Sequence, residues 1–313
     1  MSAQAYRLMG VVNVTPDSFS DGGLFAGPDD AVAHALRLSE QGAVILDIGG
    51  ESTRPGAEPV SAEQEIARVQ PVLAGLVSAR VASQLSIDTS KAAVAQVALR
   101  EGATLVNDVT AFRGDAGMAG LVADSGVDCC LMHMLGEPRT MQRGVGGSTY
   151  SDVVSEVKAF LEERMRFATG EGVQERQIML DPGIGFGKTA EHNLELLRRL
   201  DELVALGRPL VIGTSRKAFL GRIAAAAAVA AASAAAGGTG EAPSPDQVEP
   251  LPPSARLPGT IASNVLALER GASVFRVHDV APVRDALAVA AASLGGRWTT
   301  ARSAATRATR ATS

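Results

Sequence analysis

One rhythm constrains this chain more than any other feature. Eight times, a short apolar run rich in β-branched residues closes in polar residues, and a helical pattern follows. "YRLMGVVNVT" precedes a predicted helix near 29–41, "AVILDIGGEST" one near 61–79, "QLSIDT" one over 90–101 and "TLVNDVT" one over 115–125. After a long loop, "DCCLMHM" precedes 151–171. "IMLDPGIG" then precedes 190–206, "PLVIGTS" a helix starting near 216, and "SVFRVHD" 281–294. The runs lack clean alternation, as parallel strands covered on both faces do. The helices carry their own signals. Ser61 and Gln64 have capping-box spacing ahead of the stripe Ile66, Val69, Leu73 and Leu76, and Leu196, Leu200, Leu203 and Leu206 form a second stripe. Eight strand–helix units in about 290 residues specify a single-domain α/β fold, a (β/α)8 TIM barrel. A doubly wound sheet is the alternative, because strand order is not written in the sequence.

Two segments interrupt the rhythm. Within a barrel domain spanning 1–296, residues 222–258 form a low-complexity insertion: an alanine tract, Ile223–Ala236, then "GGTGEAPSPDQVEPLPPS". The tract extends the helix after Lys217, and the Pro- and Gly-rich remainder is expected as a mobile or disordered loop. Residues 297–313 are a basic, small-residue tail without periodicity, expected to be disordered. The tract is shorter than the ~20 apolar residues of a membrane span. The N-terminus lacks a signal-peptide pattern, so no membrane partner is expected. A formal net charge of −5 gives no global basic field for nucleic acid. The two cysteines, Cys129 and Cys130, are adjacent and point to opposite faces of one strand, which predicts reduced thiols in a cytoplasmic protein.

In a barrel, function collects at the C-terminal strand ends. The first strand ends in Asn13, the second in Asp47 followed by Glu51, Ser52, Thr53 and Arg54, the third in Asp88, the fourth in Asn107 and Asp108. The remaining four end in His133, in Asp181, in Ser215, Arg216 and Lys217, and in Arg276, His278 and Asp279. Capping or loop satisfaction accounts for any one of them. Asp108, Ser215 and Asp279 fit that role, and Asp47 fits a buried partner for Arg or Lys. All eight ends being polar, with both signs of charge, points to one converging mouth. Asp88, Asn107 and Asp181 suit a donor-rich nitrogen heterocycle. Arg276, His278 and Lys217 suit a phosphate or diphosphate. "GIGFGKT" (Gly183–Thr189) is not a phosphate-binding P-loop, because Pro182 stands where that pattern needs its first glycine. Its glycines predict a tight strand-to-helix turn with Phe186 exposed on it.

"NVTPDSFSDGG", "GGESTRPGA", "SIDT", "VNDVT", "LMHM…PRTMQ", "DPGIGFGKT", "GTSRKAFLG" and "FRVHDV" together resemble the motif set of the dihydropteroate synthases, in order, over roughly residues 6–221 and 259–290. The resemblance implies a (β/α)8 homodimer of folate biosynthesis and a target of sulfonamides. Such an enzyme joins 6-hydroxymethyl-7,8-dihydropterin diphosphate to 4-aminobenzoate with Mg2+ and releases diphosphate. It implies that Asn13 holds the metal ion and that Asp88, Asn107, Asp181, Lys217 and Arg276 hold the pterin. Asn13, Thr53, Arg54, Arg276 and His278 would face the diphosphate. Phe19, Thr53, Pro55, Phe186 and Lys217 would line the aminobenzoate pocket. Asp88, Lys217, Arg276, His278 and Asp21 are the implied catalytic set. Asn13–Gly23 then becomes a lid bent at its glycines, with Phe19 a pocket wall on closure. Ala218 stands where relatives often have serine, so the N–H groups at that helix start are left to meet the aminobenzoate carboxylate. Arg276→Ala is expected to cost turnover far more than stability. The alternatives are a pterin-dependent methyltransferase and a non-catalytic pterin-binding paralogue. The first would not need Lys217, the Arg276–His278 pair or the Ser-Phe-Ser-Asp loop, and the second should have lost the diphosphate or loop residues, whereas Asn13, Lys217, Arg276 and His278 are all present.

Overall fold

The computed structural model describes residues 6–15, 27–53, 56–136, 141 and 149–295. The expected site residues Phe19, Asp21, Arg54 and Pro55, most of the Asn13–Gly23 lid and the 297–313 tail lie outside them. All eight strands of the predicted rhythm are present: β1 (Arg7–Asn13), β2 (Ile45–Gly49), β3 (Gln84–Asp88), β4 (Leu105–Asp108), β5 (Asp128–Met132), β6 (Ile178–Asp181), β7 (Val211–Ile212) and β8 (Val274–Val277). They form one parallel sheet in the order β6-β5-β4-β3-β2-β1-β8-β7. A single bridge from Leu180 to Leu210, with Leu180 N donating to Pro209 O at 3.0 Å, brings the two ends together. The chain is a (β/α)8 barrel. A doubly wound sheet is ruled out, because its end strands would not meet.

The helices follow their strands: α1 (Pro28–Glu40), α2 (Ala62–Ser78), α3 (Ala92–Arg100), α4 (Met118–Ser125), α5 (Val153–Gly170), α6 (Ala190–Arg198), α7 (Leu200–Val204), α8 (Ala218–Ala235), α9 (Leu257–Glu269) and α10 (Val280–Ser293). Ser61 and Gln64 exchange the two bonds of a capping box at the start of α2, at 3.2 and 3.1 Å. The helix expected over 190–206 breaks at Arg199, whose backbone leaves helical geometry while its guanidinium binds Asp152 and Glu202. Its leucine stripe survives the break, with Leu196, Leu200 and Leu203 fully buried.

Residues 222–258 differ from expectation. The alanine tract does extend α8, which by length and composition alone is apolar enough to cross a membrane. Its first turn packs into the barrel through Phe219, Leu220 and Gly221. The Pro- and Gly-rich stretch carries two short 3₁₀ turns, Pro245–Gln247 and Pro253–Arg256. It is tied down by Asp246 at the start of α6, by Leu251 N on Gly221 O, and by Arg256 Nη1 on Arg216 O at 2.7 Å. Helix α9, absent from the predicted rhythm, follows. Its most buried positions are largely polar (Thr260, Ser263, Asn264), and apolar Ile261, Val265 and Leu268 pack beside them on the core.

Two packing layers result. Met9, Ile45, Leu105, Cys130, Met179, Val211 and Val274 fill the barrel interior. The opposite strand parity, among it Leu8, Leu46, Ile87, Leu131, Ile212 and Phe275, packs outward against the helices. Phe275 is fully buried and meets the Tyr6 ring edge-on at 6.3 Å. Phe275→Ala should therefore cost about 3–5 kcal/mol of stability, measured as a lowered midpoint in chemical denaturation. An unchanged midpoint would contradict this packing.

Candidate active site

Follow the inward parity of each strand toward its C-terminal end, and apolar residues give way to polar ones. Val11 is succeeded by Asn13, Ile45 by Asp47, Leu105 by Asn107, Met179 by Asp181 and Val274 by Arg276. Strand register levels several of them: Asn13 pairs with Gly49, Gly49 with Asp88, and Asp88 with Asn107. Gly49 has no side chain to separate Asn13 from Asp88, and a Cβ there would already touch Asp88 Cβ at 3.5 Å. The expected residues Asn13, Asp88, Asn107, Asp181, Lys217 and Arg276 thus share one rim.

Asp47 organises the floor. It is fully buried. Its Oδ1 accepts from Ser86 Oγ at 2.6 Å, and its Oδ2 from Asn107 Nδ2 at 3.0 Å and Arg276 Nε at 2.6 Å. Arg276 Nη2 donates to Asp88 Oδ2 at 2.7 Å. The reading of Asp47 as a buried partner of an arginine is correct. Arg276→Ala would also carry a stability cost, because the guanidinium balances two carboxylates, one of them buried. Burial raises the Asp88 pKa, with Asp47, Glu65 and Asp108 adding to it and Arg276 opposing. Asn107 gives Nδ2 to Asp47 and keeps its Oδ1 as an acceptor. Asp181 accepts from Gly183 N at 2.7 Å through Oδ1. The acceptors these bonds leave, Asn107 Oδ1, Asp88 Oδ1 and Asp181 Oδ2, form a donor-seeking set.

Lys217 stands across from Asp181. It caps α8 directly after Arg216, a non-glycine residue at φ 59°. That left-handed geometry is held from several sides. Arg216 N donates to Thr260 Oγ1 at 3.1 Å, Arg256 donates to Arg216 O, and the Arg216 guanidinium forks onto Asp279 at 2.9 and 2.6 Å. Asp279 therefore pairs with Arg216 and does not cap α10. Lys217 Nζ lies 4.3 Å from the centre of the Phe186 ring and donates to Ile184 O. Burial pushes its pKa down to about 7, against the pull of Asp181. Burial also raises Asp181, against the pull of Lys217.

His278 is held by Ser215, whose hydroxyl accepts from His278 N at 3.1 Å and bonds Nδ1 at 3.0 Å. Ser215, expected to do no more than cap, orients that imidazole. Asp108 keeps to loop satisfaction, accepting from Thr110 N and Phe112 N. Thr53 is half-buried at the base of the β2 loop. Glu51 anchors that loop through Val60 N at 3.0 Å and Lys91 at 2.8 Å. Lys91 reaches on to buried Glu65 at 2.6 Å. Phe186 is half-buried, not exposed, and packs on the Val109, Met132, Met134 and Met141 cluster. His133 turns away from the mouth to buried Lys188. Sequence reading missed the parts played by Lys91, Glu65 and Lys188. Their only signal is a charge beside a motif that already has a bland explanation.

A closed ring of parallel strands, with a carboxylate–amide set facing a lysine and an arginine across its C-terminal mouth, defines a barrel enzyme for a small polar heterocycle. The sequence pattern described as "Pterin binding enzyme" matches residues 9–278. A dihydropteroate synthase of Mycobacterium leprae is 42% identical over 294 residues, 94% of this chain and 95% of that one. The Xanthomonas albilineans dihydropteroate synthase solved with 4-aminobenzoic acid is 43% identical, has a TM-score of 0.79, and the match covers 93% of each chain. The Yersinia pestis dihydropteroate synthase solved with a sulfonamide drug complex is 36% identical at a TM-score of 0.81, over 95% of this chain and 99% of that one. The chain belongs to the pterin binding enzymes and, within them, to the dihydropteroate synthases, which are transferases.

The Lys217 environment has a direct check. With methyl-labelled lysine followed by NMR, Lys217 should titrate near pH 7. Asp181→Asn should lower that midpoint, because the Asp181 carboxylate favours the charged amine. A midpoint that rises would contradict the geometry.

Proposed function

We propose that this chain condenses 6-hydroxymethyl-7,8-dihydropterin diphosphate with 4-aminobenzoate, giving 7,8-dihydropteroate and diphosphate, and that sulfonamides compete for its aminobenzoate pocket. One observation carries the reading: Asp88, Asn107 and Asp181 present acceptors on one rim while Lys217 and Arg276 stand beside them. The acceptors take the amino and ring N–H donors of the pterin. Arg276, whose Nε and Nη2 are committed to carboxylates, keeps Nη1 for substrate. His278, fixed by Ser215, and Thr53 with Arg54 face the diphosphate. Phe19, Pro55, Phe186 and Lys217 wall the aminobenzoate. The start of α8 has no side-chain cap, so its first N–H groups serve the aminobenzoate carboxylate in place of a hydroxyl at Ala218.

In the reaction the methylene C–O bond to diphosphate breaks, a C–N bond to the arylamine forms, and the amine gives up one proton. Arg276 and His278 stabilise the negative charge that grows on the leaving group. The carboxylates of Asp88 and Asp21 stabilise the positive charge on the pterin. Alignment of the amine does more than a strong base would, because an arylamine is already unprotonated at neutral pH. The Asn13 amide oxygen, at the end of β1 and level with Asp88, is a hard donor and fits a Mg2+ ion held otherwise by phosphate oxygens. Bound Mg2+ would neutralise part of the diphosphate charge.

Steady-state release of diphosphate from the two substrates with Mg2+ tests the function. Pterin binding without turnover would favour the non-catalytic reading. Arg276→Lys keeps the charge balancing Asp47 but loses the fork. It should lower kcat/KM about a hundredfold while the protein still melts close to wild type. Wild-type kinetics in that variant would remove Arg276 from the mechanism.

A cytoplasmic location is supported by the two buried free thiols Cys129 and Cys130. A homodimer is supported by Leu266 on α9 and Val289 and Leu294 at α10, which are 45%, 69% and 56% exposed on two helices that pack together. Light scattering should give a dimer mass, and Leu266→Glu with Val289→Glu should shift it to a monomer. A wild-type monomer at micromolar concentration would reject the dimer.

A further inference from the structure

The Gly-x-Gly-x-Gly-Lys stretch resembles a phosphate loop without being one, and the function above leaves its lysine without a task. Lys188 is 3% exposed. Its Nζ lies 2.9 Å from His133 Nδ1, 3.0 Å from Gly183 O and 3.1 Å from Phe186 O. Burial pushes the pKa of this amine well below the usual lysine range, and three polar partners surround the N–H groups its Nζ can offer. Two of those partners are carbonyls of the turn itself, and the third belongs to the neighbouring strand end. No carboxylate touches this amine among the described residues. Burying a charge on carbonyl dipoles and an imidazole alone is costly. A methionine would fill the same space, so packing does not account for the lysine.

What the amine holds from inside, the mouth uses from outside. Gly183, Gly185 and Gly187 have φ of 65°, 83° and 65°, so the turn coils tightly around Nζ. A Cβ on Gly183 would fall 1.8 Å from His133 O, and one on Gly185 would fall 2.8 Å from Lys217 Cδ. The turn is therefore pressed between the end of β5 and the Lys217 side chain. It offers Ile184 O to Lys217 Nζ and lays the Phe186 ring beside that amine. His133 meets Nζ through Nδ1. Burial first, then Lys188 and Arg113, push its pKa down to about 2, which keeps it neutral.

We propose that Lys188 is a positioning residue for the aminobenzoate side of the mouth, tying Gly183 O, Phe186 O and His133 together so that Phe186 and Ile184 O set the place of Lys217. The inference rests on the function proposed above, and the experiment separates the two. Lys188→Met keeps the volume and removes the N–H groups. In protein shown folded by circular dichroism, its KM for 4-aminobenzoate should rise about tenfold. KM for the dihydropterin diphosphate should rise by no more than about threefold, because Asp88, Asn107 and Arg276 stand clear of the turn and only Asp181 and Lys217 of the pterin set touch it. A general loss of structure would raise both constants together, and that outcome, or an unchanged aminobenzoate KM, overturns the proposal. Should Lys188→Met not fold, His133→Leu removes one partner of three. It should raise the same KM about threefold and spare the other; no change overturns the proposal. A wild-type protein without turnover would sink the function alone. The tether is then read by 15N NMR, where Lys188→Met should shift His133 Nδ1 and the Gly185 amide. Unshifted signals overturn it.

Discussion

The mouth of this barrel hangs on the pairing of Asp47 with Arg276. A carboxylate with no solvent exposure, at the base of a ligand site, needs its counter-charge in place before any ligand arrives. Meeting that need fixes much else. Arg276 must cross the barrel from β8 to β2, and its second nitrogen then lands on Asp88. Asn107, drawn onto the same carboxylate oxygen, has its amide orientation decided. One buried acid sets the hydrogen-bonding sense of three rim residues, and these form a preorganised surface that does not wait for substrate to order it.

The second half of the rim is ordered differently. Lys217 is placed by backbone geometry, a left-handed Arg216 gripped by Thr260, Arg256 and Asp279. Two of those grips come from the segment around α9 and the end of the insertion. The longest departure from the strand–helix rhythm is thus wired to Arg216, the residue that sets Lys217, whose amine burial pushes down to about 7. Charge organises the β2–β4 side, and backbone constraint organises the β6–β7 side.

The strand–helix rhythm was legible because buried parallel strands leave continuous apolar runs, and the rim was legible because each run changes from apolar to polar at its end. Asp88, Asn107, Asp181 and Arg276 could be read from that change alone. Their roles toward substrate came from resemblance, since a carboxylate at a strand end looks the same whether it meets a ligand or an arginine. Asp47 illustrates this: both readings were open until Arg276 Nε was placed at 2.6 Å. Helix α9 was hard to read because its most buried positions include polar Thr260, Ser263 and Asn264, the last two of which meet the Thr214 hydroxyl. Lys188 escaped because a lysine after glycines draws the eye to phosphate, whereas its contacts all run inward.

The ring is not equally stiff all round. Most neighbouring strands share registers of several residues, but β7 has two residues, and β6 reaches it through one bridge. Asp181 lies at the end of β6 and Lys217 follows β7, so the two stand on opposite banks of this seam. The gap between them is governed less by a ladder of peptide bonds than by the attraction of the two side chains and the turn between them. The barrel therefore has a built-in compliance on one side of its mouth. Pocket width there depends on side chains, while the arc from β8 through β5 carries Arg276, Asp88 and Asn107 on multi-residue ladders.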